Sequence, residues 1–279
     1  MSEPVPLAAP NTRAHVVVGL VLGAAALGTL IAGRVPVSVF VALVVLGAYV
    51  DLRRLLAPWG HLMTVILGGI GVAGFLWSGY SGRLDLLAST GAALVLALLV
   101  SRVLLHEISE RASGTTQDIA STLGAAGVAG VLGAHVLLIR SIPRFGFRGL
   151  LAFGLMVIGC DVAAFAVERW RGYHKRASRM STTKSWPSIL AGFAASVIIG
   201  TIAGAVWDPP FDLRSGPLLG AAMGLLAPIG ELAFTVVKRS AGVRSSGAYL
   251  GPMGGALDAV DGVLFAAPAF YWALRTLAL

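Results

Sequence analysis

The chain has 279 residues, of which 57 % are hydrophobic and only 12 % carry charge, and its mean hydropathy is +0.85. A soluble domain carries about 25 % charged residues, so this composition excludes a soluble globular protein and indicates a chain embedded in a bilayer. The net charge of +8 does not indicate a nucleic-acid partner. Its cations lie in short segments between apolar runs, where cytoplasmic flanks and anionic lipid headgroups account for them.

Apolar runs of about 20 residues each, the length that crosses the hydrocarbon core, predict an all-α integral membrane protein. The expected architecture is a polytopic bundle of about nine transmembrane helices. Residues 1–14 are rich in proline and are predicted to form a disordered tail. The predicted spans lie near residues 15–33, 35–50, 60–80, 84–105, 118–139, 148–168, 188–207, 217–237 and 262–279. Only Gly33 and Arg34 separate the first two, which predicts a tight hairpin.

The distribution of Lys and Arg predicts the orientation of the bundle. With a cytoplasmic N-terminus, fourteen of the 21 Lys and Arg residues fall on the cytoplasmic side, in agreement with the positive-inside rule. Two hydrophilic segments, residues 169–187 and 238–261, then share the cytoplasmic face, where nucleotides are available.

The segment 238–261 has the most informative pattern in the chain. It contains two adjacent cations, a glycine-rich turn and two nearby carboxylates: Lys238, Arg239, Gly254, Gly255, Asp258 and Asp261. Cations suit phosphates, glycines let backbone amides approach them, and paired carboxylates can hold a divalent metal. In a lipid-embedded protein this pattern predicts phosphate chemistry on a membrane substrate. Either aspartate alone could instead be an ordinary helix cap.

Two further acids, Asp161 and Glu231, lie inside apolar runs. Ionisable residues within a membrane are costly and are functional candidates by default. The alternative for each is a buried carboxylate satisfied by a neighbouring helix or an arginine.

These residues together resemble the CDP-diacylglycerol synthase family, also called phosphatidate cytidylyltransferases. The closing signature of that family reads, in outline, Ser-x-x-Lys-Arg, four residues, Lys-Asp-x-Gly, then Leu-Pro-Gly-His-Gly-Gly, two residues, Asp-Arg-x-Asp. The chain keeps, without a gap, Lys238, Arg239, Gly247, Leu250, Gly254, Gly255, Asp258 and Asp261. An upstream family pattern is matched by Asp161, Ala164, Phe165, Gly172, His174, Lys175, Ser181, Lys184 and Trp186.

The resemblance implies a membrane nucleotidyltransferase that transfers CMP from CTP to phosphatidate, or to a related lipid phosphate, giving CDP-diacylglycerol and pyrophosphate. It implies catalytic roles for Lys238, Arg239, Asp258 and Asp261, and one or two Mg²⁺ ions held by Asp161, Glu231, Asp258 and Asp261. It implies substrate contacts from Ser181, Lys184, Arg244, Gly254 and Gly255. Residues 15–147 would form the N-terminal transmembrane helices, and residues 148–279 would form the catalytic region. A homodimer in the cell membrane of a prokaryote, with the active site facing the cytoplasm, is expected.

The chain is identified as a divergent member, because several polar signature positions differ. Met253 stands where the family has His, Ser245 where it has Asp, Ala259 where it has Arg, and Glu231 where it has Asp. Two hypotheses therefore stay open. The retained acids favour an active enzyme, whereas Met253, Ser245 and Ala259 favour a non-catalytic homologue that acts as a lipid-binding or protein-interaction scaffold.

Overall fold

A computed structural model describes residues 12–57, 61–108, 115–171, 185–207 and 209–278 of the chain. The regular structure of these residues is helical. The helices are α1 Thr12–Ala32, α2 Arg34–Leu56, α3 Leu62–Ser81, α4 Asp85–Ile108, α5 Thr115–Ala126, α6 Leu132–Ser141, α7 Gly146–Arg171, α8 Trp186–Val206, α9 Ser215–Ser240 and α10 Ala256–Ala278. A π-helical turn, Gly127–Val131, joins α5 to α6, and the two continue as one span, Thr116–Ser141.

Within the described residues, eight helical stretches are long and apolar enough to cross a membrane. Val16–Ala32 of α1 is a shorter apolar helix. The outer faces of the helices expose large apolar side chains, as the lipid-facing surface of a membrane bundle does: Leu20, Leu43, Leu96, Val162, Leu190 and Leu218. The prediction of an all-α polytopic membrane protein is therefore confirmed.

Two helix ends lie six residues from the predicted ones, the largest differences, and both concern charged residues. Helix α2 continues to Leu56, beyond the predicted end at residue 50, because Asp51 and Arg53 are buried and hydrogen-bonded rather than exposed. Helix α10 begins at Ala256, before the predicted start at residue 262. The predicted loop 238–261 is therefore shorter, since both of its ends are helical.

The N-terminal region also begins its first helix earlier than predicted. Helix α1 begins at Thr12, so residues 12–14 of the predicted tail are helical, while residues 1–11 lie outside the described part of the chain. Gly33 alone separates α1 from α2, with φ 127°. Side chains disfavour that backbone conformation and glycine does not. The predicted tight hairpin is confirmed.

The two ends of the predicted loop 169–187 are tied together, although residues 172–184 lie outside the described part of the chain. Ser185 donates hydrogen bonds from its backbone N and its Oγ to Glu168 Oε2, at 3.1 Å and 2.8 Å. Ser185 also forms a capping box with Ser188 at the start of α8. The first turn of α8 is therefore fixed to the last turns of α7.

Helix α10 packs into both buried cores of the molecule. In one core its Phe270 ring lies 5.1 Å from that of Phe153 on α7. In the other its Leu264 packs among residues of α2, α3 and the α5–α6 span, including Phe75. The helix that carries Asp258 and Asp261 is thus held from two sides.

Helices α8 and α9 approach each other closely through small residues. A Cβ on Gly200 would overlap the carbonyl of Gly216, and a Cβ on Gly220 would overlap the carbonyl of Ser196. Ser196 Oγ also donates to Gly220 O at 2.7 Å. Small residues allow this kind of backbone contact between membrane helices.

Candidate active site

Lys238, in the last turn of α9, lies between two carboxylates of α10. Its Nζ is 2.6 Å from Asp258 Oδ1 and 3.4 Å from Asp261 Oδ2, and only 7 % of the residue is exposed. The two aspartates share one face of α10 because residues three apart are neighbours on a helix. The structure thus brings together three of the four residues predicted to be catalytic.

Asp258 also organises the loop that precedes α10. Its Oδ2 accepts hydrogen bonds from Ser245 Oγ at 2.7 Å, Ser246 N at 2.8 Å, Ser246 Oγ at 3.0 Å and Gly255 N at 3.0 Å. Gly255 immediately precedes the first helical residue, so the last of these bonds is the return half of a capping box. The capping role considered from sequence is therefore real, and Asp258 combines it with the contact to Lys238.

Gly254 and Gly255 make room for the carboxylates of the chain itself. Gly254 has φ 87°, and a Cβ there would overlap Asp258 Oδ2 and Ser245 Oγ. A Cβ on Gly255 would overlap Asp51 Oδ2 and Ser246 Oγ. These contacts explain why glycine occupies both positions. The predicted contact of the two glycines with substrate stays a prediction.

Asp51 of α2 is part of the same network, and sequence reasoning missed it. The residue is fully buried. Its Oδ2 accepts hydrogen bonds from Tyr249 OH at 2.7 Å and Leu257 N at 3.1 Å, and it lies 3.1 Å from Ser246 Oγ. Burial raises the pKa of the Tyr249 hydroxyl to about 12, so this group stays protonated and donates. The available signal was an acid beside an apolar run, which the sequence interpretation treated as the end of a span.

Three other predicted site residues, Arg239, Arg244 and Glu231, belong to the described part of the chain. Arg239 and Arg244 are exposed on the loop side, and neither forms an ion pair with another described residue. Glu231, two turns before Lys238 on α9, is close enough to Asp261 to interact with it electrostatically. Ser181 and Lys184 lie outside the described residues.

Asp161 lies on α7, beside a contact with α9. The preceding residue, Cys160, has its Sγ 4.0 Å from Gly224 O of α9. The part of the chain that the structure describes contains no group of three or more Asp, Glu, His or Cys side chains arranged to hold a metal ion. The four acids predicted to bind metal are therefore not assembled as one site, and the metal assignment stays a prediction.

Two of those acids nevertheless fit a Mg²⁺ ion. Asp258 Oδ1 and Asp261 Oδ2 both contact one cation, the ammonium of Lys238. Mg²⁺ takes oxygen ligands, and it is commonly bound by one or two protein carboxylates together with water and substrate phosphates. A site with two carboxylates therefore suits this ion without further protein ligands.

A second buried ionic cluster lies close to Asp51 in sequence. Asp118 of α5 pairs through Oδ1 with Arg53 of α2 and through Oδ2 with Arg102 of α4. Thr64 Oγ1 of α3 donates to Asp118 Oδ2 at 2.9 Å, and Arg53 Nε donates to Thr122 Oγ1 at 2.9 Å. The cluster ties the end of α2 to three neighbouring helices and so supports the helix that carries Asp51.

Comparison with known proteins decides the family. A family model described as the cytidylyltransferase family matches residues 13–277. The chain belongs to this family. The resemblance seen in the signature residues is confirmed, and it extends over nearly the whole chain.

Several relatives of this cytidylyltransferase-family chain carry the name phosphatidate cytidylyltransferase. The protein from Brucella suis biovar 1 (strain 1330) is 28 % identical over 261 residues, covering 94 % of this chain and 92 % of that protein. The protein from Mycobacterium bovis is 29 % identical over 279 residues, covering 96 % and 89 %. The protein from Mycobacterium leprae is 28 % identical over 288 residues, covering 98 % and 90 %.

Proposed function

We propose that the protein is a membrane nucleotidyltransferase that transfers CMP from CTP to phosphatidate or a related lipid phosphate, with CDP-diacylglycerol and pyrophosphate as products. The observation that carries the proposal is Lys238 held between Asp258 and Asp261, at positions that match the family signature. The names of the relatives support the choice of substrates. The scaffold alternative gains no support from these relatives.

The reaction needs charge neutralisation and alignment more than it needs a strong base, because the attacking lipid phosphate is already anionic. A lipid phosphate oxygen bonds to the α-phosphorus of CTP, and the bond from that phosphorus to the bridging oxygen breaks as pyrophosphate leaves. Lys238 supplies a buried positive charge at the first turn of α10, where the helix dipole also favours anions. Arg239 and Arg244 are exposed and would attract the phosphates from solution.

Asp258 and Asp261 would hold Mg²⁺, because α10 places the two carboxylates on one face. When bound, the ion supplies positive charge that stabilises the triphosphate during transfer. The nearby charge of Glu231 favours a cation at Asp261. The hydrogen bonds to Asp258 Oδ2 fix this carboxylate, so that its Oδ1 faces Lys238 Nζ.

The departures from the family signature are compatible with this role. Ser245 Oγ donates to Asp258 Oδ2 at 2.7 Å, where an aspartate would place a second negative charge. Met253 is half-buried and reaches towards Gly19 of α1, so it fills space between the loop and α1. Neither residue removes the Lys238–Asp258 contact on which the mechanism depends.

The site is proposed to face the cytoplasm, where CTP is available. The support is the excess of Lys and Arg on that side, together with the bacterial sources of the relatives, which also favour a prokaryotic cell membrane. A homodimer stays a prediction.

The proposed activity is tested by measuring pyrophosphate release from the detergent-purified protein given CTP, phosphatidate and Mg²⁺. Release that requires both the lipid and CTP, and that Asp258→Asn abolishes, is the expected result. GTP and lipid-free reactions serve as controls. A folded wild-type protein that releases no pyrophosphate with phosphatidate or with other lipid phosphates would contradict the proposal.

A further inference from the structure

The residue at the N-cap position of α10 has no side chain that could accept from the amides of the first turn. Gly255 precedes the first helical residue, Ala256, and a glycine offers no side-chain oxygen to the free amides of a helix N-terminus. Those amides are nevertheless paired. Ala256 N donates to Tyr249 OH at 2.8 Å, and Leu257 N donates to Asp51 Oδ2 at 3.1 Å.

Asp51 is the point at which these bonds meet. Tyr249 OH accepts a hydrogen bond from Ala256 N and donates one to Asp51 Oδ2 at 2.7 Å. The amide of Leu257 therefore reaches this carboxylate directly, and that of Ala256 reaches it through Tyr249. Ser246 Oγ lies 3.1 Å from Asp51 Oδ2 and 3.0 Å from Asp258 Oδ2. The one hydrogen of this hydroxyl lies between two carboxylates, so Ser246 links Asp51 to the carboxylate that contacts Lys238.

The packing around Asp51 leaves little freedom for a different arrangement. One turn earlier on α2, a Cβ on Gly47 would lie 2.9 Å from Ala256 Cβ. A Cβ on Gly255 would overlap Asp51 Oδ2. The two helices thus meet closely on both sides of the hydrogen bonds.

We propose that Asp51 is a positioning residue: by capping α10 from α2 and anchoring Tyr249 and Ser246, it sets the place of Asp258 beside Lys238. The catalytic part of this inference rests on the proposed function, whereas the anchoring part does not. Asp51 Oδ1 accepts no hydrogen bond from any residue in the described ranges. The role therefore requires one acceptor oxygen and not a full carboxylate.

A positioning role needs only this acceptor oxygen, whereas a role in binding cations needs the negative charge, so substitutions of Asp51 can distinguish the two. In Asp51→Asn the amide oxygen can accept the same three bonds, and the amide nitrogen replaces the oxygen that has no donor. In Asp51→Ala all three acceptor contacts are lost. Leu43→Ala, at a strongly exposed site of the same helix, is the matched control.

The anchoring is tested first by hydrogen–deuterium exchange of the segment 245–258 in the full-length detergent-purified protein. In Asp51→Ala we expect this segment to exchange about tenfold faster or more, because one hydrogen bond to a charged group changes an opening equilibrium by about that factor. Asp51→Asn and Leu43→Ala should exchange like the wild type. Wild-type exchange in Asp51→Ala would overturn the proposal. If Asp51→Ala does not fold, Tyr249→Phe gives the same test, because it removes only one hydroxyl from a half-exposed side chain. Wild-type exchange in Tyr249→Phe would then overturn the proposal.

Turnover then tests the positioning of Asp258. Misplacement of a catalytic group lowers the rate on the order of 100-fold. Asp51→Ala should therefore lower kcat by about that factor, with little change in KM for CTP. Asp51→Asn should keep most of the wild-type kcat. Tyr249→Phe should add little to Asp51→Ala, since both act through one anchor. An Asp51→Asn protein as slow as Asp51→Ala would overturn positioning in favour of a role for the negative charge. Wild-type protein without turnover would contradict the proposed function, but the exchange result would still decide the anchoring.

Discussion

At the scale of single residues, the balance of charge around Lys238 governs the site. One buried ammonium faces two carboxylates that α10 places on the same side, and Glu231 adds further negative charge near Asp261. Removal of one member of a buried ionic group leaves the others without compensation, which costs more than the group contributes when it is intact.

Lys238→Met should therefore abolish turnover and also destabilise the fold, by about 3–5 kcal/mol. Pyrophosphate release and the apparent melting temperature in detergent measure the two effects. Arg239→Met is the matched control, because Arg239 is adjacent but exposed, and its loss should leave the melting temperature unchanged. A Lys238→Met protein with wild-type turnover would remove Lys238 from the mechanism.

Gly255→Ala tests the close approach of Asp51 to the start of α10. The added methyl group would overlap Asp51 Oδ2 and Ser246 Oγ, and overpacking of this kind costs about 1–3 kcal/mol. We expect a lower melting temperature and slower turnover. Gly154→Ala on α7, where a Cβ would meet nothing within 4 Å, should show neither effect. Equal behaviour of the two variants would be inconsistent with the described packing.

At the scale of helices, one carboxylate joins α2, α4 and α5. Asp118 faces the guanidinium groups of Arg53 and Arg102, and the two arginines would repel each other without it. The cluster fixes the end of α2 only two residues after Asp51. Its integrity is therefore a condition for the network at α10.

Asp118→Asn should lower the stability of the whole bundle by about 3–5 kcal/mol, because two buried cations lose their partner. Asp85→Asn is the control: Asp85 pairs with Arg83 at 2.6 Å, but both side chains are more than 60 % exposed. Exposed pairs of this kind contribute little to stability, because solvent screens them. Thermal unfolding of the two variants measures the difference, and similar melting temperatures would contradict a structural role for the cluster.

The helices themselves were largely predictable because hydropathy is a local property. The largest errors occurred at α2 and α10, where a charged residue appeared to end a span. Asp51 and Asp258 are tolerated inside their helices only because of partners that lie far away in sequence. A local pattern carries no information about those partners.

The candidate site was predictable in the part that α9 and α10 contribute. Lys238, Asp258 and Asp261 belong to one segment, and their spacing places them on facing helix ends. Asp51 could not be found in this way, because its contacts with Ser246 and Leu257 span 195 and 206 positions. The glycine pair was predicted to contact substrate, which stays a prediction, and the groups that approach it closely in the structure include carboxylates of the chain itself.

At the scale of the whole molecule, the proposed orientation can be tested with thiol chemistry. Cys160 is the single cysteine, and it is buried, so the wild-type protein should resist a membrane-impermeant maleimide. Leu213 and Ala241 are exposed in loops at opposite ends of α9. We expect Leu213→Cys to be labelled in intact cells and Ala241→Cys to be labelled only in inverted vesicles. The reverse pattern would place the candidate site outside the cytoplasm.

The capping of α10 by α2 also has a consequence for biosynthesis. Asp51 leaves the ribosome long before Leu257, which follows 206 residues later. A buried carboxylate without hydrogen-bond donors is costly. The donors to Asp51 come from Ser246, Tyr249 and Leu257, and all three are translated after α9. The order of translation thus makes completion of the candidate site coincide with a late step in the assembly of the bundle.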